Sequence, residues 1–156
     1  MITQKFLKER YIYKDGELVY RQKVRGTVKG QVAGTSFKDT YRKVSIDNKL
    51  YFVHRLVYLY HTGELPEYVD HINGDRTDNR ISNLRSATHS ENIKNSKLRE
   101  DSKSGYKNVS YHKKRNHWVV SLKVNGYQKY IGAFKELELA GLVANQAREK
   151  YYGEFA

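Results

Sequence analysis

Three polar dipeptides, each set between β-forming runs, constrain the fold of this chain more than any other feature. Asp15-Gly16 separates Tyr11-Ile12-Tyr13 from Leu18-Val19-Tyr20, Asp47-Asn48 separates Tyr41–Ile46 from Leu50–Val53, and Asn125-Gly126 separates His117–Val124 from Tyr127–Ala133. Asp-Gly and Asn-Gly are the pairs that most readily supply the left-handed backbone of a two-residue hairpin turn. Short antiparallel hairpins are therefore expected, and the first fifty residues read as strands and turns throughout. Lys107–His112 is a further strand candidate ahead of the last hairpin.

Helices are expected between and after these hairpins. Val53, Leu56, Val57 and Tyr60 fall at helical spacing and stop at Gly63, which predicts a short helix. Pro66 opens an extended piece, Tyr68–Ile72, followed by a polar loop from Asn73 to Arg80 and a closing run, Ile81–Arg85. Thr88 and Glu91 have the spacing of a capping box, which starts another helix through Asn92, Ile93 and Asn95. Ser96–Gly105 reads as a linker. From about Glu136, residues Leu137, Ala140, Val143, Ala144, Ala147 and Tyr151 line one face of a longer helix that ends at Gly153. The fold class is α+β, and 156 residues fit one or two small domains.

Composition narrows the chemistry. With no cysteine, disulfides and cysteine-ligated zinc are excluded, and a reducing compartment fits. No apolar run is long enough to cross a bilayer and no signal-peptide pattern opens the chain, so a cytoplasmic protein without a membrane partner is expected. The net charge of +12 is unevenly placed. Residues 1–50 hold 12 Lys/Arg against 5 Asp/Glu, residues 51–100 hold 7 against 7, and residues 101–156 hold 10 against 5. Two basic regions flank a neutral middle that contains acids and histidines. Basic surfaces attract phosphates, although charge alone also fits a ribosomal-type protein. No acid stands between Leu18 and Lys38, so Arg21, Lys23, Arg25 and Lys29 are candidates to lie along a nucleic acid, against the simpler reading of a surface loop.

The neutral middle carries the catalytic candidates. Asp70 and His71 are adjacent, so on a strand their side chains point to opposite faces. The run Val69-Asp70-His71-Ile72-Asn73-Gly74-Asp75, with Asp78-Asn79-Arg80, Ser82-Asn83-Leu84-Arg85 and Glu91-Asn92, resembles the HNH nuclease signature in the variety found in phage homing endonucleases. His54-Arg55-Leu56-Val57 matches a block that those proteins carry upstream. The resemblance implies a ββα-metal motif of two strands and a helix around one divalent ion. It makes Asp70 and Asn92 metal ligands, His71 the general base, and Asn83 the residue that holds the His71 ring by its other nitrogen. Asn92 stands where the family often has His, which favours the His-Asn-Asn subtype. A carboxylate with an amide oxygen suits Mg²⁺ or Mn²⁺, and an imidazole can accept a proton from water near neutral pH. His54 is read either as a group contacting DNA or the scissile phosphate or as a packing residue. Arg55 and Arg85 are DNA-contact candidates. Asp75 and Asp78 read as turn formers.

The C-terminal third carries a second resemblance. Ser104–Ser110, the strand with Trp118, Tyr130-Ile131-Gly132-Ala133-Phe134 and Tyr152-Gly153-Glu154-Phe155-Ala156 are similar to the ethylene-response-factor type DNA-binding domain, except that Asn108 stands where that family usually has Gly. The resemblance implies that the sheet, not the helix, enters the major groove. Strand alternation puts Trp118, Val120, Leu122 and Val124 on the core face. It puts His117, Val119, Ser121 and Lys123 outward, with Ser110, His112, Gln128 and Tyr130. Lys107, Lys113, Lys114 and Arg115 are expected at phosphates.

The expected organisation is a basic β-rich DNA-contacting region at 1–50, an HNH nuclease at 51–97, and a linker plus DNA-binding domain at 98–156. The expected activity is phosphodiester hydrolysis in double-stranded DNA by a homing-type endonuclease. It would act with one divalent metal, as a monomer that nicks, in a bacterial cytoplasm if phage-encoded. A non-catalytic DNA-binding regulator and an RNA-binding protein are the competing classes.

Overall fold

The computed structural model describes residues 2–24, 26–36 and 41–156. It is a mixed α/β structure of small antiparallel sheets and helices, and its contacts divide it into two compact units, Met1–Asn92 and Ile93–Ala156. No helix among the described residues is long and apolar enough to cross a membrane.

The first unit runs α1 (Gln4–Arg10), β1 (Tyr11–Lys14), β2 (Glu17–Tyr20), β3 (Lys43–Ile46), β4 (Lys49–Phe52), α2 (Val53–Thr62), β5 (Tyr68–His71), β6 (Leu84–Ala87) and α3 (His89–Lys94), whose last two residues fall in the second unit. The strands pair as three antiparallel hairpins, β1–β2, β3–β4 and β5–β6. At the first two turns, Asp15, Gly16, Asp47 and Asn48 all have positive φ, the backbone that two-residue hairpins require. One expectation fails here. Residues before Tyr11 form a helix, not strands and turns: Thr3 Oγ1 caps it by accepting from the Phe6 N–H at 3.2 Å. Only Leu7 of this helix is buried, so its seven residues show too little periodicity to be read from spacing.

A shared apolar core unites this unit. Leu7, Tyr11, Leu18 and Ile46 from the first fifty residues pack in one cluster with Val53, Leu56, Val57, Val69 and Leu84 from beyond them. The segment after β2 also folds back on it. Val32 bridges Val19, and Ala33 N–H donates to Leu18 O at 2.7 Å. Ala33 is thereby fully buried, while Arg21, Lys23 and Lys29 stay exposed. Helix α2 ends on Gly63, whose φ of 79° lets its N–H reach Leu59 O.

The second unit holds β7 (Val109–His112), β8 (His117–Val124), β9 (Tyr127–Phe134) and α4 (Leu137–Tyr152). The strands form one antiparallel sheet in sequence order. Val109, Val120 and Leu122 pack on Ala140, Ala144 and Ala147 of α4. Small residues let this helix lie close to its neighbours: a Cβ on Gly141 would come within 2.5 Å of the Tyr106 ring.

Candidate active site

The β5–β6 hairpin sets the site. Its register pairs Asp70 with Arg85 and His71 with Leu84, and alternation sends Asp70 and His71 to opposite faces. Both are buried, at 5% and 3% exposure. The two residues therefore work in different surroundings despite being adjacent.

On the His71 side, aromatic rings from three elements converge. The His54 ring of α2 lies 4.9 Å from the His71 ring between centroids. Tyr41 packs against both, at 4.9 Å from His54 and 5.8 Å from His71. Phe52, at the end of β4, is 5.5 Å from His54. His54 is thus a buried member of the cluster. Its burial, followed by the nearby charges of His71 and Arg55, holds its pKa down from 6.5 to about 3. Between those two values the unfolded chain binds a proton at this position that the folded chain does not, so folding stability falls as pH drops below 6.5. The slope approaches about 1.4 kcal/mol per pH unit. Urea unfolding at neutral and mildly acidic pH should show a larger loss for the wild type than for His54→Gln. Equal losses in the two proteins would remove this assignment.

The loop between β5 and β6 is pinned by its own side chains. Asn83 Oδ1 accepts from Asn73 N–H at 3.0 Å, and its amide donates to Asn73 Oδ1 at 3.0 Å and to Asp78 O at 2.8 Å. Asp75 Oδ1 accepts from the backbone N–H and hydroxyl of Thr77, the turn-forming role expected of it. Asp78 holds Arg80 through two hydrogen bonds at 2.8 and 2.7 Å, and these hold its carboxyl down at about 2. The expectation for Asn83 needs correction: it makes no hydrogen bond to His71 and fixes the loop. The residue beside His71 Nε2 is Asn79, whose Oδ1 lies 3.0 Å away in a buried position. Asn79 lay inside the Asp78-Asn79-Arg80 run, but spacing gave no reason to prefer it to Asn83.

The N-terminal hairpin supports this loop from outside. Tyr13 Oη accepts from Ile81 N–H at 3.1 Å. At Gly16 an added Cβ would lie 2.8 Å from Arg80 N and 3.0 Å from Asn79 C. The β1–β2 turn thus rests directly on the backbone that carries Asn79.

On the opposite face, Asp70 is ion-paired. Arg85 donates through Nε and Nη2 to Asp70 Oδ2 at 3.0 and 2.9 Å, with both side chains largely buried. Arg85, expected at DNA, is folded onto this carboxylate. Asn92 lies on α3, where the capping box forms as expected. Thr88 N–H donates to Glu91 Oε2 at 2.8 Å, and Glu91 N–H donates to Thr88 Oγ1 at 3.3 Å. The Tyr68 and His89 rings, 5.3 Å apart, bring the start of α3 beside β5. Among the described residues there is no group of three or more His, Cys, Asp or Glu side chains that could hold a metal ion. The Asp70 carboxylate and the Asn92 amide carry oxygen donors, a type that suits a hard divalent cation.

Comparison with known proteins agrees with this part of the chain. Residues 51–94 match the HNH endonuclease family. Over 116 residues, 72% of this chain, it is 34% identical to an uncharacterized HNH endonuclease, L560, of Acanthamoeba polyphaga mimivirus, and it spans 59% of that protein's length. It is also 32% identical over 96 residues to Protein 3.8 of Escherichia phage T7, covering 60% of this chain and 78% of that protein. Residues 51–94 are an HNH endonuclease domain. No solved structure matches the chain.

The other candidate residues make contacts of their own. Arg21 donates to Tyr11 O at 2.9 Å and Arg55 to Pro66 O at 3.0 Å, so both hold backbone in place. Arg25 lies outside the described residues. In the second unit, cross-strand register pairs Ser110 with Val119, His112 with His117, Ser121 with Tyr130, and Lys123 with Gln128. These residues therefore share one face of the sheet, and Tyr130 is 64% exposed there. Trp118 packs toward the core and against Tyr111, 4.8 Å between centroids. Lys113, Lys114 and Arg115 form a 3-10 turn at the β7–β8 connection. Asn108 has φ +65°, a region that asparagine is among the few residues besides glycine to adopt readily. Its amide donates to Ser121 O at 3.2 Å and its carbonyl oxygen accepts from Arg148 at 3.0 Å, beside the irregularity in β8 at Val120/Ser121.

Proposed function

We propose that this chain is a homing-type endonuclease that hydrolyses phosphodiester bonds in double-stranded DNA. The observation that carries the reading is the buried Asp70-His71 pair, with its two side chains serving separate surroundings. Strands β5 and β6 with helix α3 are read as the ββα-metal motif of the His-Asn-Asn subtype. Asp70 and Asn92 would hold one divalent ion, Mg²⁺ or Mn²⁺, which supplies stabilisation of charge on the phosphoryl and leaving oxygens.

His71 takes the proton of the attacking water. With Asn79 Oδ1 accepting from the ring, Nε2 carries the hydrogen and Nδ1 is the basic nitrogen. Asn83 keeps the loop that carries Asn79 closed, and His54 with Tyr41 fixes the ring plane by packing. Water adds to the phosphorus as the 3′-oxygen leaves, giving 5′-phosphate and 3′-hydroxyl ends. One such site cuts one strand per visit, so a monomer that nicks is the simplest enzyme.

The division of labour proposed along the chain is a DNA-contacting region at 1–50, the nuclease at 51–97 and a linker with an ethylene-response-factor type domain at 98–156. Ser110, His112, His117, Ser121, Lys123, Gln128 and Tyr130 would meet bases, and Lys107, Lys113, Lys114 and Arg115 the phosphates. Arg21, Lys23, Arg25 and Lys29 would track the backbone. A cytoplasmic site of action fits such an enzyme. The test is incubation of purified protein with supercoiled plasmid and with phage genomic DNA, in Mg²⁺ or Mn²⁺ and in EDTA. Metal-dependent conversion to nicked circles is the expected result. DNA binding without cutting in either metal would favour a regulator instead.

A further inference from the structure

The β5–β6 hairpin and its loop carry three arginines, and they differ in what neutralises them. Arg80 is tied to Asp78, and Arg85 to Asp70. Arg76 has no carboxylate partner among the described residues. Its guanidinium sits 5.1 Å from the centroid of the Tyr41 ring, and the same ring contacts both His54 and His71. An exposed cation is thus parked, through one aromatic ring, outside the buried histidine pair. Guanidinium over an aromatic face is a weak attachment, worth on the order of 1 kcal/mol at an exposed site. It keeps the charge near one place without consuming its hydrogen-bond donors, which a carboxylate would do. Arg76 also comes from the loop that carries Asn79, between Asp75 and Thr77, which are hydrogen-bonded to each other.

We infer that Arg76 contacts the phosphate being cleaved and that Tyr41 is its positioning residue. The inference deepens the nuclease reading and rests on it. The planar fork of arginine suits two phosphate oxygens at once. Charge there grows as water adds, so the contact strengthens in the transition state.

The experiment compares wild type with Arg76→Ala, Arg76→Lys, Tyr41→Leu and Tyr41→Phe. It reads plasmid cleavage in Mg²⁺ and, without metal, the salt dependence of binding to a mixed-sequence duplex. Arg76→Ala should lower kcat by about 10²-fold with a smaller change in KM, and Arg76→Lys should recover part of the loss. Its binding should also depend less steeply on salt, by about 0.9 in the log–log slope. Tyr41→Leu should shift kcat in the direction of Arg76→Ala, and Tyr41→Phe, which keeps the ring, should recover part of that loss. Arg76 is exposed, so an unchanged melting temperature is expected and checks the fold. Cleavage by Arg76→Ala within twofold of wild type, or an unchanged salt slope, overturns the inference. If the wild type does not cleave at all, the nuclease reading fails, and the salt slope alone decides whether Arg76 meets a phosphate.

Discussion

Replacing His71 with alanine is expected to slow DNA cleavage by about 10²–10⁴-fold, the range for loss of a general base. The ring is almost wholly buried between His54, Tyr41 and Asn79. Neighbouring variants separate its chemistry from its packing. Asn79→Ala removes the acceptor at Nε2 and should cost about 10–100-fold, as loss of a ring-orienting partner does elsewhere. Asn79→Asp retains an acceptor and should keep most of the activity. Asn83→Ala touches the loop and not the ring, so its loss should come with a lower melting temperature. Nicking assays beside thermal unfolding read all four proteins. Full activity in His71→Ala would dispose of the mechanism, and a loss in Asn83→Ala without any loss of stability would return Asn83 to the ring-holding role.

A second large effect is expected far from the acid-base chemistry. Gly16→Val should destabilise the first unit by about 3 kcal/mol and slow cleavage on the order of 10²-fold, from a site with no functional group. Two causes act together. A β-branched residue at φ +90° is strained wherever it stands. Its Cβ would also press on the backbone of Asn79 and Arg80, and backbone cannot rotate aside as a flexible side chain can. Displacing Asn79 loosens the partner of His71. Asp15→Gly keeps the turn and is the control. A Gly16→Val protein with normal stability and normal kcat would show that the hairpin does not support the loop.

The parts of this molecule that were legible in sequence are those governed by local rules. The turn pairs at Asp15-Gly16, Asp47-Asn48 and Asn125-Gly126 each require a particular backbone, and the structure supplies it. The stop at Gly63 and the capping box at Thr88 and Glu91 are similarly local. Helix α1 was not legible, because one buried leucine in seven residues leaves no period to find. Within the site, Asp70 and His71 stood out through the resemblance to the HNH signature. Their partners did not. Tyr41 reaches His71 across thirty positions, and Asn79 reaches it only because the loop closes in one particular way. Arg85 has a side chain that could equally have faced solvent, and only the strand register places it opposite Asp70.

That register has a physiological corollary. A buried carboxylate left alone would strain the fold, and breaking a buried pair typically costs about 3–5 kcal/mol. Here Arg85 serves as an internal counter-ion for Asp70, so folding need not wait for an ion from the cell. On the proposed function the newly made chain would mature fully while still inert, and the melting temperature should be nearly the same with and without a chelator. Cutting would then be governed by divalent ion supply and by arrival at DNA, two things a cell controls separately from synthesis.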